Sequence, residues 1–209
     1  MSHIGDVFFI ILLFAIFAIS HSVFASLWFK NKLVESIGEK IAFYRLFYNF
    51  ISILIFLAVY YLMPKPDVII YDLQFPYDLF ILGLQFLSLF GLVYTGFKIN
   101  GKEFLGISQV KRYIKGKYNL NDLDEKCELR TDGIFSYTRH PIYLFSILFL
   151  GFRPYMDLFY LVFFICLAVY FYIGAYFEEK KLVKMFGESY IEYKNKVPAI
   201  LPLRIKIKD

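Results

Sequence analysis

Four long apolar stretches constrain this chain more than any other feature. They run over Val7–Phe29, Ile41–Met63, Leu79–Phe97 and Leu158–Phe177. Each is about 20 residues long, which is enough for a helix to cross the roughly 30 Å of hydrocarbon in a bilayer. With 59% apolar and 22% aromatic residues, the chain also lacks the polar cover that a soluble domain of this length requires. We therefore expect an all-α, polytopic membrane protein.

A fifth apolar stretch, Ile142–Phe152, gives a helix of only about 16 Å. Arg153 and Pro154 end it and Asp157 precedes the last long stretch. We therefore predict that the fifth and last stretches form a helical hairpin with a very short outer turn. About five transmembrane helices follow, in a single domain over residues 1–209, because no internal repeat or low-complexity linker divides the chain. They are expected at about residues 7–29, 41–63, 79–97, 141–152 and 158–177.

The basic residues predict orientation. About twenty of the 23 Lys and Arg fall in Lys30–Lys40, Lys98–Arg139 and Lys180–Lys208, whereas the loop Pro64–Asp78 is acidic. Because basic loops stay on the cytoplasmic side, we expect the N-terminus outside, and the loop 98–138 and the tail 178–209 in the cytoplasm. This distribution accounts for the net charge of +5 without a nucleic-acid partner.

The two cysteines do not indicate a metal site or a disulfide. Cys127 lies in a basic loop and Cys166 lies in the middle of an apolar helix. We expect them at different depths and without partners, so no metal is predicted.

One polar motif leads directly into the short helix. Pro141 suits a first helical position because it lacks an N–H group. The amides and positive dipole of such a helix end, with Arg139 and His140 before it, are typical of an anion site. The alternative is that Pro141 only starts a helix and Arg139 marks the lipid interface.

A second motif, Glu178-Glu179, is expected where the last helix leaves the membrane and ends. It is either an ordinary solvated helix end or a cation site. The hairpin brings it beside Arg139 and His140, so an anion site would face a cation site. An amino-acid sulfonium carries both charges and would suit such a pair of sites.

These motifs, followed by Phe186-Gly187, Tyr190, Tyr193 and Val197-Pro198, resemble the isoprenylcysteine carboxyl methyltransferase superfamily, which includes membrane phospholipid methyltransferases. The resemblance covers the C-terminal third to two fifths of the chain. It implies S-adenosylmethionine as cofactor, bound at the C-terminal hairpin. The residues implied at this site are Tyr137, Arg139, His140, Pro141, Tyr143, Glu178 and Glu179.

The N-terminal half is similar to the methanethiol S-methyltransferase-like and denitrification-associated members. The similarity lies in Ile19–Ser26 and in Asn100, Glu103, Phe104, Gly106 and Gln109. It adds Gln109 to the cofactor-binding residues and favours a thiol acceptor. Members usually have Gly two residues after the motif's Tyr, where this chain has Phe145, a ring expected to narrow the cofactor or acceptor space.

His21, Arg45 and Asn49 lie within predicted spanning helices, where polar groups are costly and usually face a cavity. We assign them to acceptor binding. The alternatives are that Arg45 extends to the cytoplasmic face and that His21 and Asn49 are interhelical hydrogen-bond partners.

The predicted function is methyl transfer from S-adenosylmethionine to a small or lipophilic acceptor from the bilayer, with a thiol favoured. Arg139, His140 and His21 are the predicted catalytic residues, and either histidine is a candidate base for a thiol. The acceptor is expected to enter between the first two helices and the hairpin. Carboxyl methylation of an isoprenylated cysteine and a non-enzymatic membrane scaffold are the alternatives. A transporter is disfavoured because no inverted repeat is visible, and the oligomeric state stays open.

Overall fold

The fold is all-α apart from one short pair of strands. A computed structural model describes residues 3–120, 123 and 128–202. The helices are α1 His3–Ala25, α2 Leu27–Ile37, α3 Tyr44–Leu62, α4 Tyr77–Lys98, α5 Gly101–Leu105, α6 Ile107–Ile114, α7 Pro141–Gly151, α8 Leu158–Phe186 and α9 Glu188–Lys196. The strands are β1 Ile69–Asp72 and β2 Tyr155–Asp157, and 3₁₀ turns occupy Gly38–Phe43 and Gly133–Ser136.

Four helical segments among the described residues are long and apolar enough to cross a membrane. They are His3–Ala25, Leu27–Leu62, Tyr77–Lys98 and Leu158–Phe186. Large side chains such as Phe47, Phe80 and Phe90 are exposed on them, and on helices of this length and composition such a surface is typical of contact with lipid. The chain is therefore an all-α integral membrane protein with several spans, as predicted. Whether the shorter α7 makes a fifth crossing stays a prediction, as does the orientation of the termini.

Contacts within the chain divide it into two compact units, Met1–Lys65 with Ile99–Cys127, and Pro66–Lys98 with Glu128–Asp209. The single-domain assignment stays a prediction. Cys166 is a free thiol, whereas Cys127 lies outside the described residues, so its expected lack of partners is not addressed.

The first apolar stretch is interrupted near its end. The predicted helix 7–29 begins earlier, at His3, and ends at Ala25. The extended backbone of Ser26 breaks the helix, and its hydroxyl accepts a hydrogen bond from the Phe29 amide (3.2 Å), which caps α2. The hydropathy pattern missed this break because serine caps a helix locally without changing the apolar composition around it.

In the first unit, the α5–α6 junction lies directly against α3. Gly106 has a φ of 93°, and a Cβ at this position would lie 2.7 Å from the backbone nitrogen of Leu46. Only glycine fits this conformation and this close approach. The segment 98–138, predicted as a polar loop, therefore contains two helices, α5 and α6, and their junction contacts α3.

In the second unit, α7 and α8 form the predicted hairpin, but a strand, β2, lies in the connection between them. β2 pairs antiparallel with β1, with Ile69 opposite Asp157 and Asp72 opposite Tyr155. Asp157 also caps α8 by accepting a hydrogen bond from the Tyr160 amide at 2.7 Å. The acidic loop before α4 thus contributes to the turn, a long-range pairing that the sequence pattern did not predict.

α7 packs on α4 through a glycine. The ring of Phe145 lies against Gly91 so closely that a Cβ at Gly91 would overlap it. The Gln85 side-chain amide donates to the Phe149 carbonyl at 3.0 Å along the same contact. Phe145 therefore fills the space that Gly91 leaves on α4.

Candidate functional site

The motif before α7 is held by the C-terminal segment. The Arg139 amide donates to the Pro198 carbonyl (3.0 Å) and the His140 amide donates to the Ala199 carbonyl (2.9 Å). The Thr138 hydroxyl also donates to the Ala199 carbonyl, at 2.9 Å. α7 begins at Pro141 as predicted, but these backbone donors bind the protein's own carbonyls rather than lying open to an anion.

Glu179 lies at the centre of a buried cluster of charges. Its Oε1 accepts from Arg139 Nε at 2.8 Å and from Nη2 at 2.5 Å, and lies 3.3 Å from His140 Nε2. Its Oε2 lies 3.0 Å from Lys194 Nζ. With 8% of the side chain exposed, this carboxylate is desolvated and compensated by charged donors on both oxygens.

The remaining donors of Arg139 reach the end of α9. Its Nη1 donates to the Lys194 carbonyl at 2.8 Å and also to the Val197 carbonyl. The guanidinium thus joins α7, α8 and α9, and each of its three nitrogens contacts a protein oxygen. In this geometry Arg139 binds Glu179 and the backbone. A contact between Arg139 and a ligand anion therefore stays a prediction.

Glu178 is the more open carboxylate. Its side chain is 46% exposed, and Oε2 accepts from the Tyr143 hydroxyl at 3.0 Å and lies 3.6 Å from His140 Nδ1. Tyr143 stacks between His140 and Phe171, with centroids 5.4 and 5.3 Å apart. An accessible carboxylate beside stacked aromatic rings can bind a cation by charge and by the faces of the rings.

We expected the two glutamates at the end of the last helix, and this expectation was wrong. α8 continues to Phe186, so Glu178 and Glu179 are about two turns from its C-terminus. The helix dipole therefore has little effect on them, because it acts within the last turn. Their environment is set by side chains of α7 and α9 instead.

Two residues implied by the resemblance lie apart from these contacts. The Tyr137 side chain is 67% exposed, and no hydrogen bond or ion pair among the described residues joins it to the cluster. Gln109 belongs to the first unit, where its amide donates to the Glu103 carbonyl at 3.2 Å. Their roles in cofactor binding stay predictions.

The predicted acceptor residues all make interhelical contacts within the first unit. His21 Nε2 lies 2.9 Å from the Tyr48 hydroxyl, and its Nδ1 lies 3.1 Å from the Ser52 hydroxyl on the same helix, α3. Asn49 donates to the Phe104 carbonyl at 3.0 Å, and Arg45 makes a long contact of 3.5 Å to the Glu103 carbonyl. For His21 and Asn49 these are the interhelical contacts considered as the alternative to acceptor binding. The roles of all three residues in acceptor binding stay predictions.

α9 supplies side chains that the residue patterns left without a role. Tyr190, Tyr193, Lys194 and Val197 recur at helical spacing, which could have indicated a buried face. The Tyr193 hydroxyl donates to the Phe135 carbonyl at 2.6 Å. Burial, assisted by the negative charge of Glu179, raises the pKa of Tyr193 to about 12, so the phenol stays neutral and keeps this hydrogen bond.

Comparison with known proteins relates this chain to methyltransferases. The profile of the family described as NnrU protein matches residues 9–199. Methanethiol S-methyltransferase 1 of Bradyrhizobium diazoefficiens is 32% identical over 197 residues, covering 93% of this chain and 66% of the relative. The chain thus spans about two thirds of that relative's length.

Two further relatives support the same relationship. Methanethiol S-methyltransferase of Crocosphaera subtropica is 29% identical over 195 residues, covering 91% of this chain and 72% of the relative. Protein-S-isoprenylcysteine O-methyltransferase of Schizosaccharomyces pombe is 42% identical over 78 residues, covering 36% of this chain and 33% of the relative. No solved structure matches the chain.

Proposed function

Because this chain belongs to the NnrU protein family, we propose that it is an integral membrane methyltransferase that transfers a methyl group from S-adenosylmethionine to a small thiol. The thiol acceptor is inferred from two methanethiol S-methyltransferases, each of which matches more than 90% of this chain. The observation that carries the proposal is the half-exposed Glu178 beside the stacked rings of His140 and Tyr143.

The charges of this cluster suit a positively charged donor. Arg139 and Lys194 compensate Glu179, whereas Glu178 faces only the Tyr143 hydroxyl and His140 among its described partners. A negative charge therefore remains on Glu178 for a cationic ligand. S-adenosylmethionine presents an ammonium and a sulfonium, and the sulfonium supplies an already activated methyl group.

The chain's own residues then have to position and enclose the two reactants, and they do not have to activate the methyl group. Glu178 and the Tyr143 ring would hold the cationic portion, and the buried cluster of Arg139, Glu179 and Lys194 would fix the position of Glu178 on α8. Alignment of two bound reactants and exclusion of water can account for a large part of the rate enhancement of a methyl transfer. No nucleophilic side chain is required.

Donor binding is tested first. Glu178→Gln keeps the shape of the side chain and removes its charge, so it should weaken S-adenosylmethionine binding by about 10- to 100-fold, the effect of a charge-assisted hydrogen bond. The measurement is isothermal titration of the purified protein. Glu192→Gln, at an exposed pair with Lys196, is the matched control and should leave the affinity unchanged. If wild type and both variants show no binding, the scaffold alternative is favoured.

The thiol acceptor is tested by measuring the rate of methanethiol methylation as a function of pH. A thiol must lose its proton to react, and His21 is the proposed base, so activity should rise with pH and fall in His21→Ala. Donor affinity in His21→Ala should match that of wild type. Full activity with an unchanged pH profile in this variant would remove His21 from the mechanism.

Carboxyl methylation of an isoprenylated cysteine is the second candidate, favoured by the 42% identity with the Schizosaccharomyces enzyme. Its product is a base-labile methyl ester, whereas thiol methylation gives a stable thioether. A carboxylate acceptor is already ionised above neutral pH, so this reaction should be nearly independent of pH there. Ester formation with a prenylcysteine analogue, without any reaction of small thiols, would replace our proposal for the acceptor.

A further inference from the structure

A cationic cleft lies in the first unit, along α6. Its volume is about 280 Å³, and it is lined by Glu103, Ser108, Lys111, Arg112, Lys115 and Lys117. These residues are separate from the Glu178–Glu179 cluster, which lies in the second unit. The proposed methyl transfer uses none of them.

The end of α6 explains why three lysines meet here. Gly116, with a φ of 63°, reverses the chain after the last turn. The Gly116 amide donates to the Tyr113 carbonyl (2.9 Å) and the Lys117 amide donates to the Arg112 carbonyl (2.9 Å). This is the hydrogen-bond pattern of a Schellman motif, which returns Lys117 to the last helical turn, near Lys111 and Lys115.

The positive charge of this cleft is not compensated within it. Arg112 pairs with the buried carboxylate of Glu103 through both of its terminal nitrogens, so these two charges cancel. Lys111, Lys115 and Lys117 are exposed, and no salt bridge within the described chain involves them. The cleft therefore carries three positive charges, which suit an anionic ligand.

The apolar side of the same helix indicates the kind of anion. Ile107 and Ile114 are exposed, and Ile114 retains 74% of its surface. They lie four residues before and three residues after Lys111, so they adjoin the cationic face. A helix with exposed isoleucines beside lysines is typical of the membrane interface, where the apolar side enters the acyl chains and the lysines reach the headgroups.

We propose that this cleft, which we call the α6 cleft, binds the headgroup of an anionic phospholipid. The phosphate would contact Lys111, Lys115 and Lys117, and the acyl chains would lie along Ile107 and Ile114. Soluble phosphate compounds share the charge but lack the acyl chains. They would not use the two isoleucines.

The test uses the full chain reconstituted in nanodiscs of 20% phosphatidylglycerol and 80% phosphatidylcholine, followed by native mass spectrometry of retained lipid. We expect wild type to retain phosphatidylglycerol in preference to phosphatidylcholine. The triple variant Lys111→Gln, Lys115→Gln, Lys117→Gln should lose at least about tenfold of this preference, since each lysine contributes to attraction at the membrane surface. Lys32→Gln, Lys98→Gln, Lys184→Gln removes the same charge elsewhere and should retain the preference.

Four outcomes would overturn the proposal. Equal losses in the two triple variants would indicate a general charge effect, and no loss in either would exclude the α6 cleft. Displacement of phosphatidylglycerol by equimolar inorganic phosphate or glycerol phosphate would indicate a soluble anion. If the glutamine triple does not fold, the corresponding arginine triple keeps the charge and should retain phosphatidylglycerol, and loss of the preference in that folded variant would also contradict us.

Discussion

The α1–α3 helix pair and the end of the α7–α8 hairpin that carries Arg139 and Glu179 contain polar groups of different kinds. His21 contacts hydroxyl groups of α3, so a neutral histidine forms hydrogen bonds in which neither partner is charged. At the hairpin, Arg139 and Lys194 surround the buried Glu179. Removing one neutral partner leaves a modest defect, whereas removing one ion of a buried cluster leaves an uncompensated charge. The hairpin end should therefore be far less tolerant of single substitutions.

The largest effect is expected at Arg139. Arg139→Ala leaves Glu179 buried with fewer partners, which should lower the free energy of unfolding by about 3 to 5 kcal/mol. Thermal unfolding in detergent measures it. Lys196→Ala removes an exposed ion pair at 4.0 Å and is the control, with an expected effect within about 1 kcal/mol. Equal melting temperatures for wild type and Arg139→Ala would contradict the assignment of Arg139 as a structural centre of the hairpin.

A smaller effect is expected where α4 and α7 meet. Gly91→Ala places a Cβ inside the Phe145 ring, and overpacking of this kind costs about 1 to 3 kcal/mol. Gly83→Ala, on the same helix, meets nothing within 4 Å and should be neutral or slightly stabilising. Phe145→Leu combined with Gly91→Ala should recover part of the loss. No recovery would indicate that the Phe145 ring is not the obstacle.

The neutral contacts of the α1–α3 pair are expected to be weaker still. Ser52→Ala removes one hydrogen bond to His21, for which about 0.6 kcal/mol is typical between membrane helices. Ser20→Ala removes only a local bond to the Phe17 carbonyl and serves as the control. Chemical unfolding in mixed micelles resolves such differences when the variants are compared in parallel. A loss as large as that of Arg139→Ala would remove the contrast between the two regions.

The last comparison is between two tyrosines one turn apart on α9, and it includes the smallest expected effect, that of Tyr190→Phe. Tyr193→Phe loses the hydrogen bond to Phe135 and should cost about 1 kcal/mol. The buried Tyr190 hydroxyl has no hydrogen-bond partner among the described residues, so Tyr190→Phe should be neutral or stabilising. Tyr193→Phe should therefore lower the melting temperature, whereas Tyr190→Phe should leave it unchanged or raise it. A marked loss in Tyr190→Phe would reveal a partner that this structure does not contain.

The resemblance found in the C-terminal third to two fifths of the chain is confirmed by the NnrU family match and by the methyltransferase relatives. The short helix starting at Pro141 and the hairpin were also predicted correctly. Both follow from local rules, since proline suits the first helical turn and an 11-residue apolar helix must be followed by a turn. The break at Ser26 and the continuation of α8 past Glu179 were missed, because helix boundaries depend on caps and tertiary contacts as well as on hydropathy.

The effect of Phe145 shows the limit of reasoning by position in a motif. The sequence indicated a bulky ring where relatives usually have glycine, and we expected it to narrow the cofactor or acceptor space. In the structure the ring lies against Gly91 on α4, whereas Tyr143 stacks on Phe171 of α8. Residues two apart on a helix point in nearly opposite directions, so the neighbouring helix decides which space is filled.

The sequence by itself determined that this protein lies in a membrane, because a long apolar helix satisfies its backbone hydrogen bonds within itself in lipid, and that property can be read locally. It also determined the family, from motifs near one another along the chain. Only the tertiary structure decided that Arg139 binds Glu179 and the end of α9. Those partners lie 40 and 55 residues away, and ion pairing depends on the directions of side chains and on the path by which α9 returns to α8. Hydropathy depends on the residues of one segment and indicates its solvent. The partner of a buried charge depends instead on which segments pack together.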